Sequence, residues 1–223
     1  MSLVPMSLVP IALVPQASAA ELRGKVELYE KGNKRLDSAE VTNAVVFFQP
    51  KSPVPLRPPK QPLDMITEDK QFEPRVLPII QGSTVQFPNR DPILHNVFSV
   101  SPGNAFDLGF YKQGEGKGWR FEKTGLVRVY CNVHYDMVAY VLVLDTPYFV
   151  SPEADGSFRL TGLPEGPGRL TVWQERARPW SRQISVPNAS GLNIALPLIR
   201  PRVPKHTNKL GKPYPGGGRG RRY

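Results

Sequence analysis

The chain has 223 residues, with 25 Pro, 19 Gly and a single Cys. That length gives room for one or two modest domains with real cores, and the lone cysteine excludes an internal disulfide. Of the net charge of +10, residues 200–223 supply eight Lys or Arg and no acid, which leaves 21 basic against 19 acidic groups in residues 1–199; a globular part so close to neutral argues against a nucleic-acid-binding domain.

In chain order, residues 1–20 read as an export signal. Met1 to Pro15 is apolar with a five-residue repeat (MSLVP, MSLVP, IALVP), and Gln16-Ala17-Ser18-Ala19-Ala20 follows as a small-residue cleavage site. The run is too short and proline-broken to span a membrane, so the expected location is the periplasm or otherwise outside the cytoplasm. No Lys or Arg precedes the apolar run; either the signal is atypical or the true start lies upstream.

Beyond Glu21, short runs rich in Val, Phe, Leu and Tyr alternate with turn residues, the pattern of an all-β protein. Arg23 to Glu30 and Ala44 to Pro50 are strand candidates, and residues 51–61 form a proline-rich connector that no central strand tolerates. Residues 62–145 hold a second group of strands, at 71–74, 76–80, 84–87, 96–100, 126–130 and 138–144. Between Pro102 and Gly125 lies a Gly-rich stretch with little periodicity. Residues 146–199 carry further strands at 168–173, 182–186 and 192–196, with turn signals around Asp155-Gly-Ser-Phe and Gly162-Leu-Pro-Glu-Gly. Residues 200–223 have too little apolar content to pack and read as a disordered basic tail. Its functional alternative is attachment to an acidic protein or an anionic surface.

The chemistry concentrates in Cys131-Asn-Val-His-Tyr-Asp-Met137 and in His95 upstream. Strand alternation puts Val127, Val129 and Cys131 on one face, aiming the sulfur at the core. A buried thiolate is costly unless a metal neutralises it. Two His, one Cys and a Met are the donor set of a type 1 copper site, a trigonal plane with a weak axial thioether. His95, Cys131, His134 and Met137 are the candidate ligands, and the side chain of Asn96 is placed to bridge toward the ligand-loop backbone. The competing readings are a buried inert thiol for Cys131, zinc on the Cys and His groups, and simple packing for Met137. His206, in the tail, reads as solvated. Trp119, Tyr111 and Phe121 read as packing residues.

Around these residues the sequence resembles a known family. Gly82-x-x-Val85-x-Phe87-x-Asn89-x-Asp91-x-x-x-His95-Asn96-Val97 is similar to the first half of a cupredoxin. Phe121-x-x-x-Gly125-x-Val127-x-Val129-Tyr130-Cys131-x-x-His134-x-x-Met137 is similar to the second half, with the tight ligand loop of amicyanin-like proteins. The wider stretch resembles the methylamine-utilisation-type cupredoxin-like proteins. Gly24-Lys-Val, Asn43-Ala-Val-Val-Phe-Phe and Leu170-Thr-Val, with the two turn segments already quoted, look like a carboxypeptidase-regulatory-like, or prealbumin-like, β-sandwich split in two. The resemblance implies a cupredoxin Greek-key sandwich of residues 62–145 inserted in a sandwich built from residues 21–50 and 146–199. Tyr135-Asp136 departs from it, standing where such loops often carry a proline after the histidine.

The resemblance implies one type 1 copper ion and single-electron transfer between redox partners such as a c-type cytochrome or a dehydrogenase, with His134 as the electron route. No nucleotide-binding glycine loop, serine elbow or paired carboxylates accompany it, so an enzyme is not expected. Three histidines in all leave no material for the trinuclear cluster of a multicopper oxidase. Copper delivery without redox turnover, and a structural surface-interaction protein with a cupredoxin-like domain, are the alternative functions.

Overall fold

The computed structural model describes residues 20–30, 34–36, 39–189 and 192–214. The export-signal reading therefore falls on residues outside the described ones, apart from Ala20. The described chain is an all-β sandwich fold, with the one 3₁₀ turn Ala39–Asn43 among the described residues.

Five sheets, the smallest a two-stranded hairpin of Ile66–Glu68 with Gln71–Glu73, surround three apolar cores. The outermost joins Ser157–Leu163, Ala20–Glu30 and Leu192–Pro197, with the short Lys34–Arg35 strand on the long central one. Against it lies the antiparallel sheet Phe149–Val150, Val45–Pro50, Gly166–Trp173 and Trp180–Val186. Leu22, Val26, Phe48, Leu170, Val172 and Ile194 are among the residues filling the space between. The third sheet runs Phe106–Tyr111, His95–Ser99, Gly125–Tyr130, Val138–Leu144, Val76–Ile80, and the fourth Gly116–Arg120, Thr84–Pro88, Leu63–Asp64. Phe87, Val97, Phe121, Val127, Val129 and Val141 are buried in the core that includes Cys131 and Met137.

The remaining core explains two segments whose apolar runs are continuous rather than alternating. Val138–Leu144 is buried at all seven positions. Its odd-numbered members Ala139, Val141 and Val143 face the core of Cys131, whereas Val138, Tyr140, Leu142 and Leu144 face Val45 and Trp173 of the second sheet. In Val45–Pro50 the same alternation sends Val46 and Phe48 one way and Val45 and Phe47 the other. Strands covered on both faces read as unbroken hydrophobic runs, so these two segments mark where the sheets stack back to back.

Other local features follow from backbone chemistry. Pro78 sits in Val76–Ile80, which is an edge strand of its sheet, where a missing N–H costs no ladder bond. The Gly-rich stretch before Gly125 contains two strands that its pattern hides. Phe106–Tyr111 is interrupted by a register shift between Asp107 and Phe110, with Gly109 at a positive φ of 69°, the mark of a β-bulge. Gly116–Arg120 has all its positions exposed and so lacks the alternation that announces a strand. Residues 200–214, expected to be disordered, are described and lie against the third sheet: Val203 packs in its outer core and Tyr214 is buried. Aromatic and carbonyl contacts rather than aliphatic content hold this segment, which is why composition hides it.

The back-to-back core is testable through Trp173, which is 7% exposed and meets Tyr140 edge-on at 5.8 Å. Trp173→Ala is expected to cost about 3–5 kcal/mol, the range for deleting a buried aromatic side chain, measured as a shift of the urea unfolding midpoint.

Candidate metal centre

Three of the four candidate ligands sit at or beside the end of a strand, and His134 lies in the loop between two of them. His95 opens His95–Ser99, Cys131 follows Gly125–Tyr130, and Met137 precedes Val138–Leu144. The last two strands pair in antiparallel register from Gly125↔Val143 to Tyr130↔Val138, so residues 131–137 form the connection between them. Two backbone bonds shape this loop: Cys131 N–H to the Met137 carbonyl and Met137 N–H to the His134 carbonyl, both 3.2 Å.

The structure brings His95, Cys131 and His134 together, with their donor atoms all within 4.8 Å of one another. Cys131 Sγ lies 3.7 Å from His95 Nδ1 and 3.6 Å from His134 Nδ1. A metal with bonds of about 2.0–2.1 Å to nitrogen and about 2.3 Å to sulfur separates those donors by roughly 3.6–3.8 Å between tetrahedral and trigonal angles. The spacing thus fits one shared ion. Cys131 and His95 are fully buried, and His134 is partly exposed. Met137 is fully buried in the same core as the thiol.

The histidines are prepared to bind as neutral rings. Burial holds His95 below the ordinary value of 6.5, against the opposing pull of Asp91. Burial also lowers His134, reinforced by the neighbouring His95 and by Lys70. The rings are 4.9 Å apart centre to centre, so protonation of one penalises the other.

His95 is oriented from behind. Its Nε2 lies 2.8 Å from Asp91 Oδ2, which leaves Nδ1 directed at the thiol. Burial disfavours the charged form of Asp91, but hydrogen bonds from the Lys70 and Asp69 amides, and then from His95, outweigh it and lower its pKa. Those amides belong to a two-residue hairpin turn between Ile66–Glu68 and Gln71–Glu73, with both Asp69 and Lys70 at positive φ (51° and 57°). Such a turn points successive N–H groups one way. Asn89 fixes the other side of the loop, accepting from the Asp91 amide and donating to the Ile93 carbonyl.

Two expectations need correction. Asn96 does not reach the ligand loop: its amide donates to Asp107 Oδ1 at 2.7 Å and to the Gly109 carbonyl at 2.9 Å, because the bulge at Gly109 turns that carbonyl toward it. His206 is not solvated but stacks between Tyr130 and Tyr135. Asp91 was present in the sequence pattern without a role; the need of a ligating histidine for a carboxylate on its far nitrogen is the signal that finds it.

Neither a protein-family model nor a curated protein matches the chain. Among solved structures, the chain is similar to an oxidised mutant of amicyanin at 22% identity and a TM-score of 0.35, with 37% of this chain and 81% of that one covered. It is also similar to a purple cupredoxin from Nitrosopumilus maritimus, at 26% identity and a TM-score of 0.34, covering 37% of this chain and 99% of that one. A reduced amicyanin mutant overlaps at 21% identity and a TM-score of 0.35, over 44% of this chain and 99% of that one.

Two outcomes follow from the geometry. Asp91→Asn removes the charged acceptor from His95 and is expected to weaken Cu(II) and Zn(II) binding about 10- to 100-fold, read by competition with a chelator. For the metal-free protein, histidines held below 6.5 mean that the unfolded chain binds more protons than the folded one once the pH falls past that value. Stability is therefore full above about pH 6.5 and declines as the pH drops below it, and the lowered Asp91 extends the decline into the carboxylate range. Urea midpoints at about pH 7.5 and about pH 5.5 check the sign.

Proposed function

We propose that this protein is an exported type 1 copper protein that carries single electrons between redox partners and is not itself an enzyme. The observation that carries the reading is the buried thiol of Cys131 placed at 3.6–3.7 Å from two histidine Nδ1 atoms. Met137 closes the same loop. Copper supplies a one-electron couple when held by a thiolate, two imidazoles and a weak thioether; His95, Cys131, His134 and Met137 would hold it.

What the chain contributes is a constrained and nearly dry set of donors. The core around Cys131 excludes water, Asp91 fixes the tautomer of His95, and the double-sided burial of Val138–Leu144 fixes Met137 at its start. A donor set that cannot rearrange resists the different geometries that the two oxidation states of copper favour, which lowers the cost of electron exchange. His134 is the ligand with partial exposure, and we assign it the electron route to a partner such as a c-type cytochrome or a dehydrogenase. The exposed Val133 and Leu94, each next to a ligand in the chain, give that end an apolar rim. Residues 62–145 would be the cupredoxin, inserted in a prealbumin-like sandwich of residues 21–50 and 146–199 that serves docking or attachment.

Loading the protein with Cu(II) is expected to give intense thiolate-to-copper absorption in the visible, abolished in Cys131→Ser and retained in Met137→Leu, whose change falls on the potential. A colourless copper adduct would support delivery or storage instead. A coloured protein that no donor reduces reversibly would sink the electron-carrier reading.

A further inference from the structure

Two backbone bonds close the ligand loop from within, and the C-terminal segment lies along it. After Leu192–Pro197, the chain is gripped by Arg75. That guanidinium donates to the carbonyl of Arg202 and to the carbonyl of Val138 at 3.0 Å, while its Nε pairs with buried Glu175 at 3.2 Å. The Pro204 carbonyl then accepts from Tyr135 Oη at 3.4 Å. The His206 ring lies 4.4 Å from both Tyr130 and Tyr135, at interplanar angles of 17° and 9°. Lys209 N–H donates to Asn132 Oδ1 at 3.0 Å, and its Nζ meets Asp107 Oδ2 at 2.6 Å. Asp107 in turn holds Asn96, the neighbour of His95.

The segment ends on the ligand itself. Tyr214, 6% exposed, donates from Oη to the Cys131 carbonyl at 2.8 Å and packs edge-on against Tyr135 and His206 at 5.4 and 5.2 Å. Contacts therefore fall on Tyr130, Cys131, Asn132 and Tyr135 in succession, from a stretch whose prolines and lysines give it no sheet to join. Tyr135, the residue that departs from the family pattern, is one of the strap's main supports.

We propose that residues 202–214 form a strap that holds the ligand loop in its ligating shape, with Tyr214 as a positioning residue acting through the Cys131 peptide. This rests on the reading that residues 131–137 bind copper. The phenol fixes the plane of the peptide that follows Cys131, and with it the path by which the loop leaves that residue toward His134. His206 fills the space between the two tyrosines, and Lys209 ties the strap to both sides of the site.

Tyr214→Phe removes the hydroxyl and keeps the ring; Tyr214→Ala removes both. In the full-length metal-free protein, Tyr214→Phe is expected to speed amide exchange of Cys131 and Met137 roughly 2- to 10-fold, the worth of one hydrogen bond, with Tyr214→Ala at or beyond the top of that range. Exchange in the Ala20–Glu30 strand should not change. Copper-loaded variants should release the metal to a chelator faster and show a shifted charge-transfer band. Wild-type exchange in the loop of both variants would overturn the proposal, as would an equal acceleration across loop and Ala20–Glu30 strand, which marks global destabilisation. A wild-type protein that binds copper without colour would defeat the electron-carrier reading and leave the exchange result standing.

Discussion

The burial of both faces of Val138–Leu144 is the constraint on which the rest of the molecule depends. One set of its side chains completes the core that contains Cys131 and Met137, and the alternate set packs on Val45 and Trp173. A strand so enclosed has its register fixed twice, because a slip by one residue would exchange Tyr140 and Leu142 with Val141 and Val143 on surfaces of different shape. Pairing with Gly125–Tyr130 on one side and Val76–Ile80 on the other leaves it no freedom in the sheet plane either. Met137 and the loop before it thus begin from a rigid edge.

From that edge the electrostatics of the site are assembled by exclusion rather than by added charge. His95 and His134 are driven toward neutrality by loss of water, and the acid that pairs with His95, Asp91, is itself held by backbone amides. A pocket of neutral imidazoles beside a buried thiol favours a cation that takes its negative charge from sulfur alone, which suits a soft ion better than a hard one. The same exclusion explains why the site has one way out: of the three clustered donors, only His134 keeps partial contact with solvent.

Much of this was legible in the sequence, and the reasons are local. Cys131, His134 and Met137 lie within seven residues, and alternation through Val127 and Val129 was enough to aim the sulfur inward. The unbroken apolar runs at 45–48 and 138–144 announced burial without saying against what. Elements that rely on partners distant in the chain were not legible. Gly116–Arg120 is a strand only because Thr84–Pro88 pairs with it. Asn96 was assigned the wrong partner because a bulge at Gly109 has no sequence signature beyond a glycine in a glycine-rich stretch. Residues 200–214 looked unfoldable because their binding energy resides in rings and carbonyls, which a count of aliphatic residues does not see.

The stacking of the second and third sheets has a practical corollary. The strand that follows the His95, Cys131 and His134 cluster presents Tyr140, Leu142 and Leu144 to Val45 and Trp173 of the neighbouring sheet, a face that would have to be polar if it stood in water. An excised fragment spanning residues 62–145 would bare that face to water and would be inclined to self-associate. The two sheets therefore act as a single solubility unit, and a change of side-chain volume on one side of the wall they share has to be matched on the other.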